Sequence, residues 1–513
     1  MILNKVKLSG IAIIATAILL SVGISEGHAQ RPQTEIVTDQ VQLAKLIAAV
    51  ETHPDSLSAH QAYIKAVGIN SPSVVAQYEN WIKKYPKSAM VPYALGKAYE
   101  DQESPKAKPY LLKTVAIDPK FAEAWSGLWI DAQRWGDFKG GSGYLKKATE
   151  ADPGNAAYAF YYSDTFRDTD PKRYLELTLD VAKRFPASDR GAQALYWLAV
   201  RSSDVKDKLK YFELLHNSFD PAKFNWSSSG MSSYFNILLT ENPKRAVELA
   251  QEMAKDKKTE KEWGNLVVQA QRVADAKDLM DKRKSSDALA LLNQVKLPRY
   301  YSFNKELLLL KAETDDMGGK TNAAYDSLIV SFAKQPGVKL KFAIVGYGAK
   351  LGKNAAQVDA DILKRLNLVA KVATPFKLKN YLTPGYTSLA DYKGKVVLLT
   401  YWFPGCGPCR GEFPHFENVI RKFKGLAVDY VGINIASDQN DYVLPFMKGS
   451  GYSFTPLEDV KGRDKGNLDN GNAAPTNFLI DKEGRIIFSN FRIDGDNEDQ
   501  LELMINMLLQ KEA

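Results

Sequence analysis

Cysteine is almost absent from this chain: its 513 residues contain only Cys406 and Cys409. There is no second cysteine pair and only His415 lies nearby, so the four ligands of a structural zinc site are not supplied. Arg410 rather than histidine follows the second cysteine, so the haem-attachment pattern is missing too. A disulfide closed over two intervening residues restricts the unfolded chain little, which makes stability a poor reason to keep it. The use that remains is thiol–disulfide exchange, with an attacking thiolate and a partner that resolves the mixed disulfide. A degenerate, inactive pair is the other open reading.

Further absences narrow the class. The net charge is +8, but no dense Lys/Arg run with interleaved aromatics occurs, which argues against nucleic acid as a partner. After the first thirty residues, no segment is long and apolar enough to cross a membrane. Met1 to Ala29 reads as a secretory signal. Lys5 and Lys7 form the positive start, Ile11 to Val22 the apolar stretch, and Gly27-His28-Ala29 the cleavage region. No cysteine follows it, which excludes a lipoprotein anchor. The mature chain is expected to begin near Gln30 in an exported compartment, most simply a bacterial periplasm. An uncleaved N-terminal anchor is the alternative.

The segment around the pair is locally rich. Val396 to Phe403 is an apolar run that predicts a buried strand. Pro404-Gly405 makes a turn, and a helix opens at Cys406-Gly407-Pro408-Cys409. The unpaired N–H groups and dipole of a helix N-terminus stabilise a thiolate. Cys406 is therefore expected as the exposed nucleophile, with Cys409 one turn into the helix as the resolving thiol.

Length alone calls for roughly two to four domains. Between about Val37 and Ala370 the spacing of apolar residues is helical. Pro86, Pro119, Pro153, Pro186 and Pro221 recur at intervals of 33 to 35 residues. That period is the mark of tetratricopeptide-type helix pairs. The clearest unit runs from Trp125 through Leu128, Ala132, Gly136-Asp137-Phe138, Leu145 and Ala148 to Asp152-Pro153. After Pro221 the period weakens. Pro243 to Ala254, Ser285 to Val295 and Asn322 to Gln335 read as divergent repeats, with an irregular helical domain as the alternative. Stacked pairs of this kind offer a concave surface to a protein or peptide partner.

From about Thr374 to Ala513 the chain resembles the thioredoxin fold, and more narrowly the TlpA/ResA-like thiol–disulfide oxidoreductases of the bacterial envelope. Trp402 stands four residues before Cys406, Glu412 three after Cys409 and Pro414 five after it. Ala474-Pro475-Thr476 leads into an apolar strand, a turn at Asp481 to Gly484 and a further strand at Arg485 to Phe488, as the family's cis-proline segment does. The resemblance implies that Cys406 and Cys409 form the redox-active disulfide. It further implies that Glu412 relays protons, Trp402 belongs to the substrate-binding surroundings, and Ala474-Pro475 holds the substrate backbone. Gly405 replaces the family's usual Trp before the nucleophile, and Thr400 stands where thioredoxin has a buried Asp. The peroxiredoxin pattern fails, because Phe403 and Leu399 occupy its Thr and Pro positions.

The expected fold class is multidomain: a signal at 1–29, an all-α helical-repeat solenoid at 30–370, and an α/β thioredoxin-like fold at 371–513. The expected activity is disulfide exchange with protein thiols and disulfides, supplied by an electron-donating redox partner and needing no metal or organic cofactor. A scaffold protein with a secondary redox site and a peroxiredoxin-like peroxidase are the competing readings. Gly462 to Gly471 is expected to be a mobile loop. Gln500 to Leu509 is expected to be a closing helix with Leu501, Met504, Ile505 and Leu508 on one face.

Overall fold

The computed structural model describes residues 39–510, apart from 496. The signal expected at 1–29 lies outside the described residues. Among those described, nineteen helices run from Gln40–Thr52 to Ala355–Val369, and no strand interrupts them. None of the helices is long and apolar enough to cross a membrane.

The periodic prolines stand where helices stop. Pro86 follows Tyr85, the C-cap of Pro72–Lys84; Pro119 follows Asp118, the C-cap of Ala107–Ile117. Pro153 follows Asp152 after Phe138–Ala151, and Pro186 follows Phe185 after Pro171–Arg184. Proline lacks an N–H and pushes the residue before it out of the helical region, so each cap has positive ψ. The same three-residue turn closes each stop. Ser88 N donates to Tyr85 O at 3.1 Å, Phe121 N to Asp118 O at 3.1 Å, and Asn155 N to Asp152 O at 3.2 Å. The repeat distance also governs contacts between units. Tyr85 Oη donates to Glu51 O at 3.1 Å and Arg134 Nη1 to Glu100 O at 3.1 Å, each across 34 residues. Successive helix pairs therefore stack as repeats, each burying its apolar face on the next.

The later helices fall at Pro243–Met253, Ser285–Gln294 and Thr321–Lys334, within a residue or two of expectation. Here the regular pattern gives way. Helix Glu260–Asp281 has 22 residues, and Asn236, on helix Asn225–Glu241, accepts from Phe303 N at 2.9 Å across 67 residues.

From Lys371 the chain builds one sheet: β1 (Lys371–Val372), β2 (Lys377–Asn380), β3 (Tyr386–Ser388), β4 (Val396–Trp402), β5 (Val428–Asn434), β6 (Thr455–Glu458), β7 (Thr476–Ile480) and β8 (Arg485–Ser489). Its order is β1-β8-β7-β4-β5-β6-β2-β3. β4 lies inside, parallel to β5 and antiparallel to β7, and all seven of its residues are buried. Its side chains alternate between two cores. Val396, Leu398 and Trp402 enter one, and Val397, Leu399 and Tyr401 the other. Helices Gly407–Lys422 and Glu498–Gln510 cover the first face, with Leu501, Met504, Ile505 and Leu508 buried. This α/β segment has the thioredoxin-like architecture. Its first core is continuous with the last repeats, since Leu328, Ile344, Val358 and Leu366 belong to the same cluster.

Strand β6 and helix Asn440–Ser450 were not legible beforehand. Gly462 to Gly471, expected as a mobile loop, contains a short 3-10 turn at Gly466–Leu468. It is tied down where Asn467 Nδ2 donates to Val372 O at 2.7 Å and Arg463 Nη2 to Tyr401 Oη at 3.2 Å.

Candidate functional site

Cys406 is the N-cap of helix Gly407–Lys422, with Pro408 in the first turn, where its fixed φ and missing N–H cost nothing. The Cys409 N–H donates to Cys406 Sγ at 3.2 Å, so the sulfur sits where helix-end donors point. The two cysteines are joined in a disulfide, with Cα atoms 5.3 Å apart. Cys406 is only 2 % exposed, whereas an exposed nucleophile was expected. The sulfur is turned inward onto buried Cys409 while Gly405, Gly407 and Pro408 form the surface above it. On the flank, Gly405 N donates to Gln439 Oε1 at 2.8 Å, and a Cβ at Gly405 would stand 3.0 Å from that oxygen. A cleft of about 680 Å³ is lined by Ser437, Asp438, Asp459, Lys461 and Asn472, and no residue of the cysteine turn lines it.

Glu412 is buried on the same helix, one turn after Cys409. Asn477 Nδ2 donates to its Oε2 at 3.0 Å and Ile493 N to its Oε1 at 3.1 Å. Arg492 Nη1 lies 3.5 Å away. Burial nevertheless outweighs these partners and raises the carboxyl above its ordinary value. Thr400 Oγ1 donates to Asn477 Oδ1 at 2.7 Å, so β4, β7 and the redox helix share one polar thread. Asn477 was missed from sequence; its signal is a lone amide inside an apolar strand.

Ala474–Pro475 is a cis peptide bond, and Ala474 packs against the cluster that contains both cysteines. Asn470 Nδ2 holds the preceding carbonyl, Ala473 O, at 2.8 Å. Trp402 departs from expectation. It is 0 % exposed, wedged among Phe413, Phe446 and Phe454 at ring distances of 5.0–5.5 Å, and cannot meet a substrate. Its size supports the helix from beneath. A Cβ at Gly432 would come within 2.8 Å of Trp402 Nε1, so that strand position has no room for a side chain.

Arg410, directly after the pair, is the second residue that sequence reasoning passed over. Its Nε donates to Pro404 O at 2.8 Å and its Nη2 to Gln133 O at 3.0 Å, far back in the helical region. Burial pushes its guanidinium down to about 10, still charged at neutral pH. The helical region thus reaches the redox motif directly. Trp135 packs edge-on against Tyr442 at 4.5 Å. No cluster of metal-ligating side chains occurs among the described residues.

Residues 368–503 match the Redoxin family. The thiol-disulfide oxidoreductase ResA of Bacillus subtilis (strain 168) is 37 % identical over 101 residues, covering 19 % of this chain and 54 % of that protein. The thioredoxin-like protein YneN of the same organism is 36 % identical over 116 residues, covering 22 % of this chain and 66 % of that protein. The thioredoxin domain of a thiol-disulfide oxidoreductase from Bacteroides vulgatus has 25 % identity across 27 % of this chain and 96 % of its own, with a TM-score of 0.24. The chain spans about half the length of the first curated relatives it matches. The C-terminal segment is a redoxin domain, similar to thiol–disulfide oxidoreductases, preceded by helical repeats.

Proposed function

We propose that this chain is an exported thiol–disulfide oxidoreductase whose Cys406–Cys409 pair exchanges disulfides with protein substrates. The observation that carries the reading is the placing of Cys406 at a helix N-terminus, with the Cys409 N–H directed at its sulfur at 3.2 Å. A thiolate formed there is stabilised by donors already in position.

In the oxidised state, a substrate thiolate attacks Cys406 Sγ. The Cys406–Cys409 bond breaks, and Cys409 leaves as a thiolate that takes up a proton. A second substrate thiolate then attacks the substrate sulfur of the mixed disulfide, releasing Cys406. Two electrons pass from the substrate dithiol to the pair, and the substrate becomes a disulfide. The reverse sequence reduces a substrate disulfide after a redox partner has supplied electrons. Glu412, buried and inclined to keep its proton, is suited to give that proton to the Cys409 thiolate and take it back. The half-buried Ala474 offers its backbone to an extended substrate segment.

The helical region holds the redox domain in a fixed orientation and offers its stacked pairs to a protein or peptide partner. Export is supported by the character of Met1 to Ala29 and by a single redox pair with no other thiol in the chain. N-terminal sequencing of the secreted protein should begin near Gln30.

The decisive experiment equilibrates the protein against graded thiol/disulfide buffers. A potential of about −250 mV or lower identifies a reductase, and one near about −120 mV an oxidant. A pair that never titrates overturns the reading and leaves a scaffold. Steady peroxide consumption with a thiol reductant would replace exchange by peroxidase chemistry.

A further inference from the structure

We propose that Arg410 is a positioning residue that makes the reactivity of the Cys406–Cys409 pair depend on the docked helical region. The inference rests on the disulfide-exchange reading above and adds to it a link between the two parts of the chain.

Arg410 binds two backbone carbonyls that belong to different parts of the molecule. One is Pro404 O at 2.8 Å, in the turn just before Cys406. The other is Gln133 O at 3.0 Å, in the last turn of helix Ala122–Arg134 and 277 residues away. Its guanidinium also lies near two rings, 5.9 Å from the centre of Phe138 in the helical region and 5.4 Å from that of Phe446 in the redox domain. The titratable groups that bear on it are Tyr452, a phenol that burial keeps neutral, and Arg134, and no carboxylate is among them. A cation held only by carbonyls keeps its field, and the redox turn lies within that field. It favours a thiolate at the pair over the disulfide.

The carbonyl of Gln133 is held in place by a tight seat. Trp135 caps its helix against Tyr442. Gly136 follows with φ +76°, the left-handed conformation that ends such helices. Its backbone then meets that of helix Asn440–Ser450 with no side chain between. A Cβ on Gly449 would stand 2.2 Å from Gly136 O, and one on Gly136 would stand 2.7 Å from Pro445 O. If this seat opens, Arg410 loses Gln133 O and gains water, which screens its charge from the sulfurs.

Stabilising the reduced form raises the potential of the pair, so loss of the charge or of its shielding lowers it. Arg410→Gln removes the charge. Gly449→Ala opens the seat while keeping Arg410, and alanine is favoured inside a helix, so the redox domain keeps its fold.

The test measures, on the full chain, the potential of the pair and the pH titration of the Cys406 thiolate. Circular dichroism checks the fold of each variant. Arg410→Gln is expected to shift the equilibrium with a thiol/disulfide buffer roughly tenfold toward the disulfide, about 30 mV for a two-electron couple. The thiolate titration should move upward with it. Gly449→Ala should shift both in the same direction by less, and the double variant should match Arg410→Gln alone. Arg410→Lys, which keeps the charge without the two-carbonyl grip, should shift the potential less than Arg410→Gln, and an equal shift would overturn the role of the charge. A wild-type pair that titrates normally but is unmoved by Arg410→Gln overturns the role of Arg410 and leaves the exchange reading standing. A shift with Arg410→Gln but none with Gly449→Ala overturns the dependence on the helical region. A wild-type pair that never titrates overturns both.

Discussion

Asn477 donates to Glu412 at 3.0 Å across 65 residues of chain, joining strand β7 to the redox helix. The bond holds a carboxyl that burial would rather keep neutral, and this gives the site a pH dependence with a definite sign. The folded protein retains the Glu412 proton above 4.5, where the unfolded chain has lost it. Stability associated with this group is therefore complete below that value and is lost as pH rises through the raised folded value. Urea titrations at a series of pH values should show that decline in the wild type and a flatter profile in Glu412→Gln. Identical profiles would remove Glu412 as a buried titrating group.

The two cysteines should separate by role. Cys409→Ser, mixed with a disulfide-containing peptide, should accumulate a covalent adduct at Cys406, because nothing resolves it. Cys406→Ser should accumulate none. Mass spectrometry reads both: an adduct in Cys406→Ser alone would reverse the assignment of nucleophile and resolver, and equal trapping would remove it.

Trp402→Ala is expected to act through packing. Emptying a site enclosed by Phe413, Phe446 and Phe454 should lower unfolding free energy by about 3–5 kcal/mol. Trp402→Phe should recover much of the loss and leave KM for a peptide substrate unchanged. A raised KM with normal stability would restore the substrate-contact role that the burial removes.

In the helical repeats, Gly191→Ala should be costly. Its Cβ would stand 2.5 Å from Phe185 O and 2.8 Å from Phe219 Cζ, and the backbone oxygen cannot swing aside. A loss of about 1–3 kcal/mol is expected in urea unfolding, with the potential of the pair untouched. An unchanged midpoint would mean that the repeats yield more easily than their packing implies.

What could be read from the sequence follows how local each signal is. Pro86, Pro119, Pro153 and Pro186 marked helix stops because proline acts on its own neighbours. The cysteine pair and the segment at Pro475 were legible for the same reason. Helix Asn440–Ser450 and strand β6 were not, since Pro445 and Pro456 interrupt their patterns. The exposure expected for Cys406 and the contact expected for Trp402 failed because burial is decided by distant chain. Asn477 and Arg410 stayed hidden because their partners lie 65 and 277 residues away.

Among the described residues, the redox domain touches the helical region at Trp135 to Phe138, and again far along the chain where Arg485 Nη2 reaches Asn367 Oδ1 at 3.4 Å. A free solenoid frays from either end, because each unit answers only to its neighbours. Here the C-terminal domain closes a ring over everything between those two places. Backbone amides before Trp135 are then free to exchange by stepwise fraying, while those enclosed by the ring must wait for the clasp to release. The protein has one loose end and one locked body, and the redox pair is mounted on the lock.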